Sequence, residues 1–138
     1  MVVLDSSAVV EMVRRTNEGM ALQWFIRKNE KTISCDLVQA EIASVFRKFT
    51  RTEGLTADAA EDFFRRGIEL IDEFYPIRDL QPETLSESIR LNHSTYDVYY
   101  FVLARRTGAT LLTLDRKLMR LCEKNRVPCV SEVSLTDE

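Results

Sequence analysis

The sequence predicts an α/β protein, a mainly parallel central sheet covered by helices on both faces, and three observations predict it. Short apolar runs without polar alternation recur at Val2–Leu4, Thr32–Cys35, 110–114 and 127–130, the pattern of strands buried on both faces. The stretches between them carry apolar residues at helical spacing, and strands alternating with helices imply parallel pairing. Two of the apolar runs end in an acid, Asp5 and Asp115, immediately before a helical stretch. In open parallel sheets that junction is where ligands bind.

The elements follow in order. Val2–Leu4 reads as a buried strand, and Val9, Val10 and Val13 mark a helix beginning near Ser6. A short helix is expected over 20–28, with Leu22, Phe25 and Ile26 inward, and a second strand over Thr32–Cys35. Asp36 with Gln39 spells a capping box for a helix reaching about Thr52, where Gly54 stops it. Thr56 opens another long helix, with Phe63, Phe64, Ile68, Leu70 and Ile71 apolar and Asp58, Glu61 and Asp62 near its positive end. These two helices form a long pair joined by a short turn.

Tyr75, Pro76 and Ile77 suggest an extended segment, and Pro82 a helix start leading through Leu85 and Ile89. Residues 94–106 form the next helix, ended by Gly108. A strand over 110–114, a helix over Arg116–Lys124 and a strand over 127–130 complete the chain.

With 138 residues, four Gly, three Pro and no composition break or repeat, a single domain over 1–138 is expected. Met1 runs into Val2, Val3 and Leu4 without a basic leader, and no apolar run approaches membrane-spanning length, so no membrane association and a cytoplasmic location are expected. Cys35, Cys122 and Cys129 lack metal-ligand spacing and read as small core residues. A formal net charge of −3 argues against a protein that coats nucleic acid by general electrostatics. Basic residues cluster locally at Arg14 and Arg15, at Arg47, Lys48 and Arg51, and at Arg116, Lys117 and Arg120. Each cluster alone reads as a solvated helix face; together around an acidic pocket they would position phosphate.

Four acids are the candidate functional residues. Asp5 could simply cap the helix at Ser6, yet it stands at a carboxyl strand end. Glu41 borders the apolar stripe of Val38, Ile42, Val45, Phe46 and Phe49, and the positions where an ion-pair partner would stand, 37, 38, 44 and 45, are Leu, Val, Ser and Val. Asp97 fits a capping box begun by Ser94, and Asp115 could cap the helix at Arg116. Thr113, two residues before Asp115, shares its sheet face by strand alternation. Gathered in one pocket the four carboxylates would repel, by roughly 4 kcal/mol for a pair about 4 Å apart at an effective dielectric near 20. Such a cluster takes up protons or holds a divalent cation, and oxygen-only ligands favour Mg²⁺ or Mn²⁺ over zinc. His93, the only histidine, has no triad or nucleophile-elbow pattern around it and is assigned a surface or capping role. No glycine-rich phosphate loop is present.

Over essentially its full length the chain resembles a PIN-domain ribonuclease of the VapC-like toxin group. The carriers are VVLDSSAVV with Asp5, DLVQAEIASVFRK with Glu41, YDVYYFVLARRTGATLLTLDRKL with Asp97 and Asp115, and the terminal strand. The resemblance implies a PIN-like three-layer fold with a protruding long helix pair. It implies an Mg²⁺-dependent endoribonuclease with Asp5 and Asp97 as metal ligands, Glu41 and Asp115 completing the acidic site, and Thr113 and Ser6 or Ser7 in support. It further implies RNA as substrate, a VapB-like antitoxin that masks the site, and a homodimer. The competing readings are a catalytically inert PIN-like module that binds RNA or protein, and a receiver-like phosphoacceptor domain. The latter would need paired acids at the first strand, where Asp5 instead follows Leu4 and precedes Ser6.

Overall fold

The computed structural model describes residues 1–130; the last eight residues of the expected 1–138 domain lie outside it. Strand β1 (Val2–Leu4) leads to α1 (Ser6–Arg14) and α2 (Asn17–Gln23), β2 (Thr32–Cys35) to α3 (Leu37–Thr52) and α4 (Ala57–Glu69), and β3 (Glu73–Tyr75) to α5 (Ile77–Leu91) and α6 (Thr95–Thr107). Strand β4 (Thr110–Leu112) then leads through α7 (Arg116–Lys124) to β5 (Cys129–Val130). Among the described residues all strand pairs are parallel, in the order β3-β2-β1-β4-β5. The α/β class expected from the sequence is the class observed.

Helices α1 to α4 pack on one another, while α6 packs across β1, β2 and β4 and against α5 and α7, which gives two helical layers around the sheet. The sheet is buried on both sides, with Val3, Leu4, Ile33, Leu111 and Leu112 fully inaccessible to solvent. In α6, Val98 and the run from Tyr100 to Ala104 are buried together, so this helix has no solvent stripe over that stretch. The long pair α3 and α4 is closed by Phe46 stacked on Phe63, ring centroids 5.6 Å apart.

The strand order turns back between β1 and β4. Connections leave β1 toward β2 on one side and reach β4 on the other, so a crevice opens at the carboxyl ends of these two neighbours. Asp5 follows β1, and Thr113 and Asp115 follow β4.

Several boundaries differ from the sequence expectation for identifiable reasons. Helix α2 starts at Asn17 rather than Met20, because the Thr16 hydroxyl caps it by accepting from Gly19 N–H, and it ends at Gln23. Gly19 is required there, since a Cβ would stand 2.1 Å from the Glu11 carbonyl oxygen. Phe25, expected inward, is exposed, whereas Leu22 is buried. Asp36 precedes α3 but has helical backbone angles, from which its side chain makes no cap, so the predicted capping box is not formed. Helix α4 ends before Leu70 and Ile71. The extended segment lies at Glu73–Tyr75, and α5 begins at Ile77 with Pro82 inside it rather than at its start, at the cost of one helical hydrogen bond. Leu85 and Ile89 face solvent. Strands β4 and β5 are each two residues shorter than expected.

Next to Pro82 in α5, the Thr84 hydroxyl is buried without a hydrogen-bond partner among the described residues. A buried hydroxyl left unpaired costs free energy, so Thr84→Val is expected to stabilise the fold by about 1 kcal/mol. Urea unfolding midpoints check this, and a variant less stable than wild type refutes it.

Candidate metal and active site

Asp5 leaves β1 in extended conformation and caps α1, accepting from the Ala8 N–H at 2.9 Å. It also accepts from the Ser7 hydroxyl at 2.7 Å and from the Thr113 hydroxyl. Only 3% of Asp5 is exposed. Burial pushes its carboxyl up to about 6, against the three hydrogen bonds that favour the charged form, and the like charge of Asp115 adds to the rise.

The same hydroxyls tie the ends of β1 and β4 together. Ser7 Oγ accepts from the Leu114 N–H at 2.9 Å, and Thr113 Oγ1 accepts from the Asp115 N–H at 2.9 Å. Thr113 is fully buried, which leaves its hydroxyl no solvent and fixes it on Asp5. Of the two serines named from the sequence, Ser7 serves Asp5, while Ser6 lies near Glu41 and favours its charged form.

Glu41 lies in the second turn of α3, half-buried at the border of the apolar stripe. Its Oε1 accepts from the Tyr100 hydroxyl of α6. Burial raises its pKa above the ordinary carboxylate value, and Asp97 and Asp115 contribute by like-charge repulsion. Burial also pushes the Tyr100 phenol up, so it remains a donor. The neighbouring Cys35 thiol is pushed up to about 12, chiefly by burial, and stays protonated, in keeping with a core role.

Asp97 is the third residue of α6. The Ser94 side chain makes no cap there, and Asp97 accepts instead from His93, with 2.9 Å between Nε2 and Oδ2. His93, expected in a surface or capping role, has a side chain only 17% exposed and bonds to the first turn of α6. Burial raises the Asp97 pKa, the His93 hydrogen bond opposes the rise, Asp115 adds to it and Lys117 offsets it.

Asp115 caps α7, its Oδ1 accepting from the N–H groups of Lys117 at 2.9 Å and Leu118 at 3.2 Å. It acts as a like charge on Asp5, Glu41 and Asp97 alike. The four acids, from a strand end, α3, α6 and a second strand end, therefore stand near enough to influence one another as like charges, Asp115 acting on the other three and Asp97 on Glu41. Among the described residues none of the four forms an ion pair with Arg or Lys. The cations of α7, Arg116, Lys117 and Arg120, likewise make no ion pair among the described residues, and Lys117 is near enough to Asp97 to favour its charged form.

Among the described residues, no three His, Cys, Asp or Glu side chains form a ready-made cage for a cation. The donor set nevertheless fits Mg²⁺, which keeps several waters and takes one or two carboxylates rather than a complete protein shell. Uncompensated oxygen donors, one of them held protonated up to about pH 6, are the groups a divalent ion would relieve.

A groove of about 490 Å³ runs from Ser6 and Ser7 along Val10, Val45, Phe49 and Leu114, beside the acids. A concavity of similar size, about 510 Å³, lies around Met12, Met20, Trp24 and Arg66, and none of the four acids lines either one. Tyr100 and His93 are the site residues that sequence reasoning missed. Tyr100 was legible only as the residue three places after Asp97, on the same helical face.

The family model for the PIN domain matches residues 2–124. No curated protein matches the sequence. Among solved structures, PAE2754 from Pyrobaculum aerophilum is similar in fold, with a TM-score of 0.69 at 20% identity over 86% of this chain and 82% of that one. So is VapC20 of Mycobacterium tuberculosis, a sarcin-ricin loop cleaving toxin, with a TM-score of 0.64 at 16% identity over 88% of this chain and 95% of that one. No helix among the described residues is long and apolar enough to cross a membrane.

Proposed function

The chain belongs to the PIN domain family, and from that premise we propose that it is an Mg²⁺-dependent endoribonuclease acting as the toxin of a toxin–antitoxin pair. The observation that supports the reading is the mutual like-charge influence of Asp5, Glu41, Asp97 and Asp115, with no arginine or lysine ion-paired to any of them among the described residues. A purely structural cluster of this charge would be expected to bring its own cations.

In this reading Asp5 and Asp97 hold the ion, with Mn²⁺ as a plausible substitute, and Asp115 adds negative charge while fixing the start of α7. Mg²⁺ bound there supplies positive charge against the reacting phosphate and makes water a stronger acid. Glu41, held by Tyr100 with its pKa raised by burial, accepts the proton of the attacking water. Thr113 and Ser7 keep Asp5 aimed, and Lys117 with its neighbours on α7 contacts the RNA backbone. The toxin role rests on the likeness to VapC20 and brings with it a VapB-like antitoxin over the site, a homodimer and a cytoplasmic location.

Cleavage of RNA by the purified chain is expected with Mg²⁺ or Mn²⁺ and to be lost in EDTA, with the 5′ ends of cellular RNA after induced expression identifying the target. Cleavage undiminished in EDTA would overturn the metal reading. A wild type that neither cleaves RNA nor gains thermal stability from Mn²⁺ would favour an inert RNA- or protein-binding module.

A further inference from the structure

His93 sits in the short connection between α5 and α6, and that connection is built to hold it. Asn92 turns the chain in the left-handed region, at φ 50°. The His93 N–H donates to the Ser88 carbonyl at 3.1 Å, and the Ser88 hydroxyl donates to the His93 carbonyl. Both backbone groups are thereby tied to one residue of α5, and the ring is left to point at α6. Its Nε2 lies 2.9 Å from Asp97 Oδ2, with side-chain exposures of 17% and 24% for the pair.

An ionised carboxylate can only accept, so the ring donates through Nε2–H. That bond occupies Oδ2 and fixes the carboxylate plane, leaving Oδ1 unclaimed by any described hydrogen bond. An ordinary solvent-exposed ion pair would not need a loop locked at both backbone groups, nor would it lie mostly out of water.

We propose that His93 is a positioning residue for Asp97, holding Oδ2 so that Oδ1 is presented to the divalent cation. The inference rests on the reading of the acidic crevice as an Mg²⁺ site. Partners of this kind orient ligating side chains, and their loss lowers metal affinity about 10- to 100-fold.

Mn²⁺ binding to the full chain, followed by the electron paramagnetic resonance signal of free Mn²⁺, tests it without reference to any RNA. His93→Leu is expected to weaken Mn²⁺ binding about 10- to 100-fold, and His93→Gln, whose amide can donate from a similar position, to regain most of the loss. In an Asp97→Asn background His93→Leu should have no further effect, because the group it positions is no longer a carboxylate. Should the leucine variant fail to fold by circular dichroism, His93→Asn, a donor too short to reach Oδ2, takes its place. Affinity within twofold of wild type in His93→Leu overturns the proposal. So does equal weakening by leucine and glutamine, or losses that add in the double variant. A wild type without measurable Mn²⁺ affinity removes the metal reading itself, and this inference falls with it.

Discussion

Asp97→Asn is expected to leave the chain folded and to lower RNA cleavage by at least about 10³-fold, the scale on which removal of a charge-stabilising group acts at a reacting centre. Asparagine keeps the shape of the side chain, and its Oδ1 can still accept from His93 Nε2, so the start of α6 retains its local bonds. What changes is one unit of charge at a half-buried position already crowded by Asp115. Removing that charge relieves repulsion in the metal-free protein, so its melting temperature should be equal or higher. Activity and stability are therefore predicted to move in opposite directions, which an effect of misfolding cannot produce. Turnover on RNA in saturating Mg²⁺, measured beside thermal melting in EDTA, decides it. Equal turnover by variant and wild type would remove Asp97 from the chemistry.

The parts of this site that were legible in the sequence are those fixed by local signals. Asp5 and Asp115 end apolar strand runs, and that position alone places them at the carboxyl edge of a parallel sheet. Glu41 was visible because no basic residue stands where a helical ion pair would need one. Strand β2 and helices α3 and α7 fell where apolar patterning put them. Pairing order was not legible, because adjacency of β1 and β4 joins residues more than a hundred positions apart, and only the assembled sheet shows that the reversal lies between them.

Capping was misread for a related reason. Ser94 and Asp97 have the spacing of a capping box, but His93, one position earlier and outside the helix, takes the carboxylate. The pair does have the four-residue spacing of a helical contact, but His93 stands before the helix begins, where that spacing is not expected to hold. Tyr100 was hidden by its own surroundings, since an aromatic inside an apolar run reads as core, and it is buried as core would be. Its hydroxyl finds a partner on α3, 59 residues earlier in the chain. Asp36 shows the converse, a favoured capping residue whose helical backbone angles keep its side chain from the helix end.

The buried state of Asp5 sets a pH dependence on the metal-free fold. In the folded chain its pKa is raised from 3.8 to about 6, mainly by burial, so between these values the native state holds a proton that the unfolded chain has released. The associated stability is fully present below about pH 4 and is lost as pH rises through about 6. That difference corresponds to about 3 kcal/mol. Glu41 and Asp97 are shifted in the same direction, also chiefly by burial, and add to the loss. Glu87 is shifted the other way, to about 2, by its hydrogen bonds to Arg90 and Arg105, so its contribution is lost only as pH falls well below this window. In EDTA the urea midpoint should therefore fall between pH 4.5 and 7. Asp5→Asn, which can keep the N-cap acceptor for Ala8, should flatten most of that fall. Mg²⁺ should restore stability at pH 7 and have little effect at pH 4.5, because there the proton already occupies the carboxylate that the ion requires. Midpoints that stay level or rise across this range, or an Asp5→Asn profile parallel to wild type, would show that Asp5 is not the group whose charge the native fold resists.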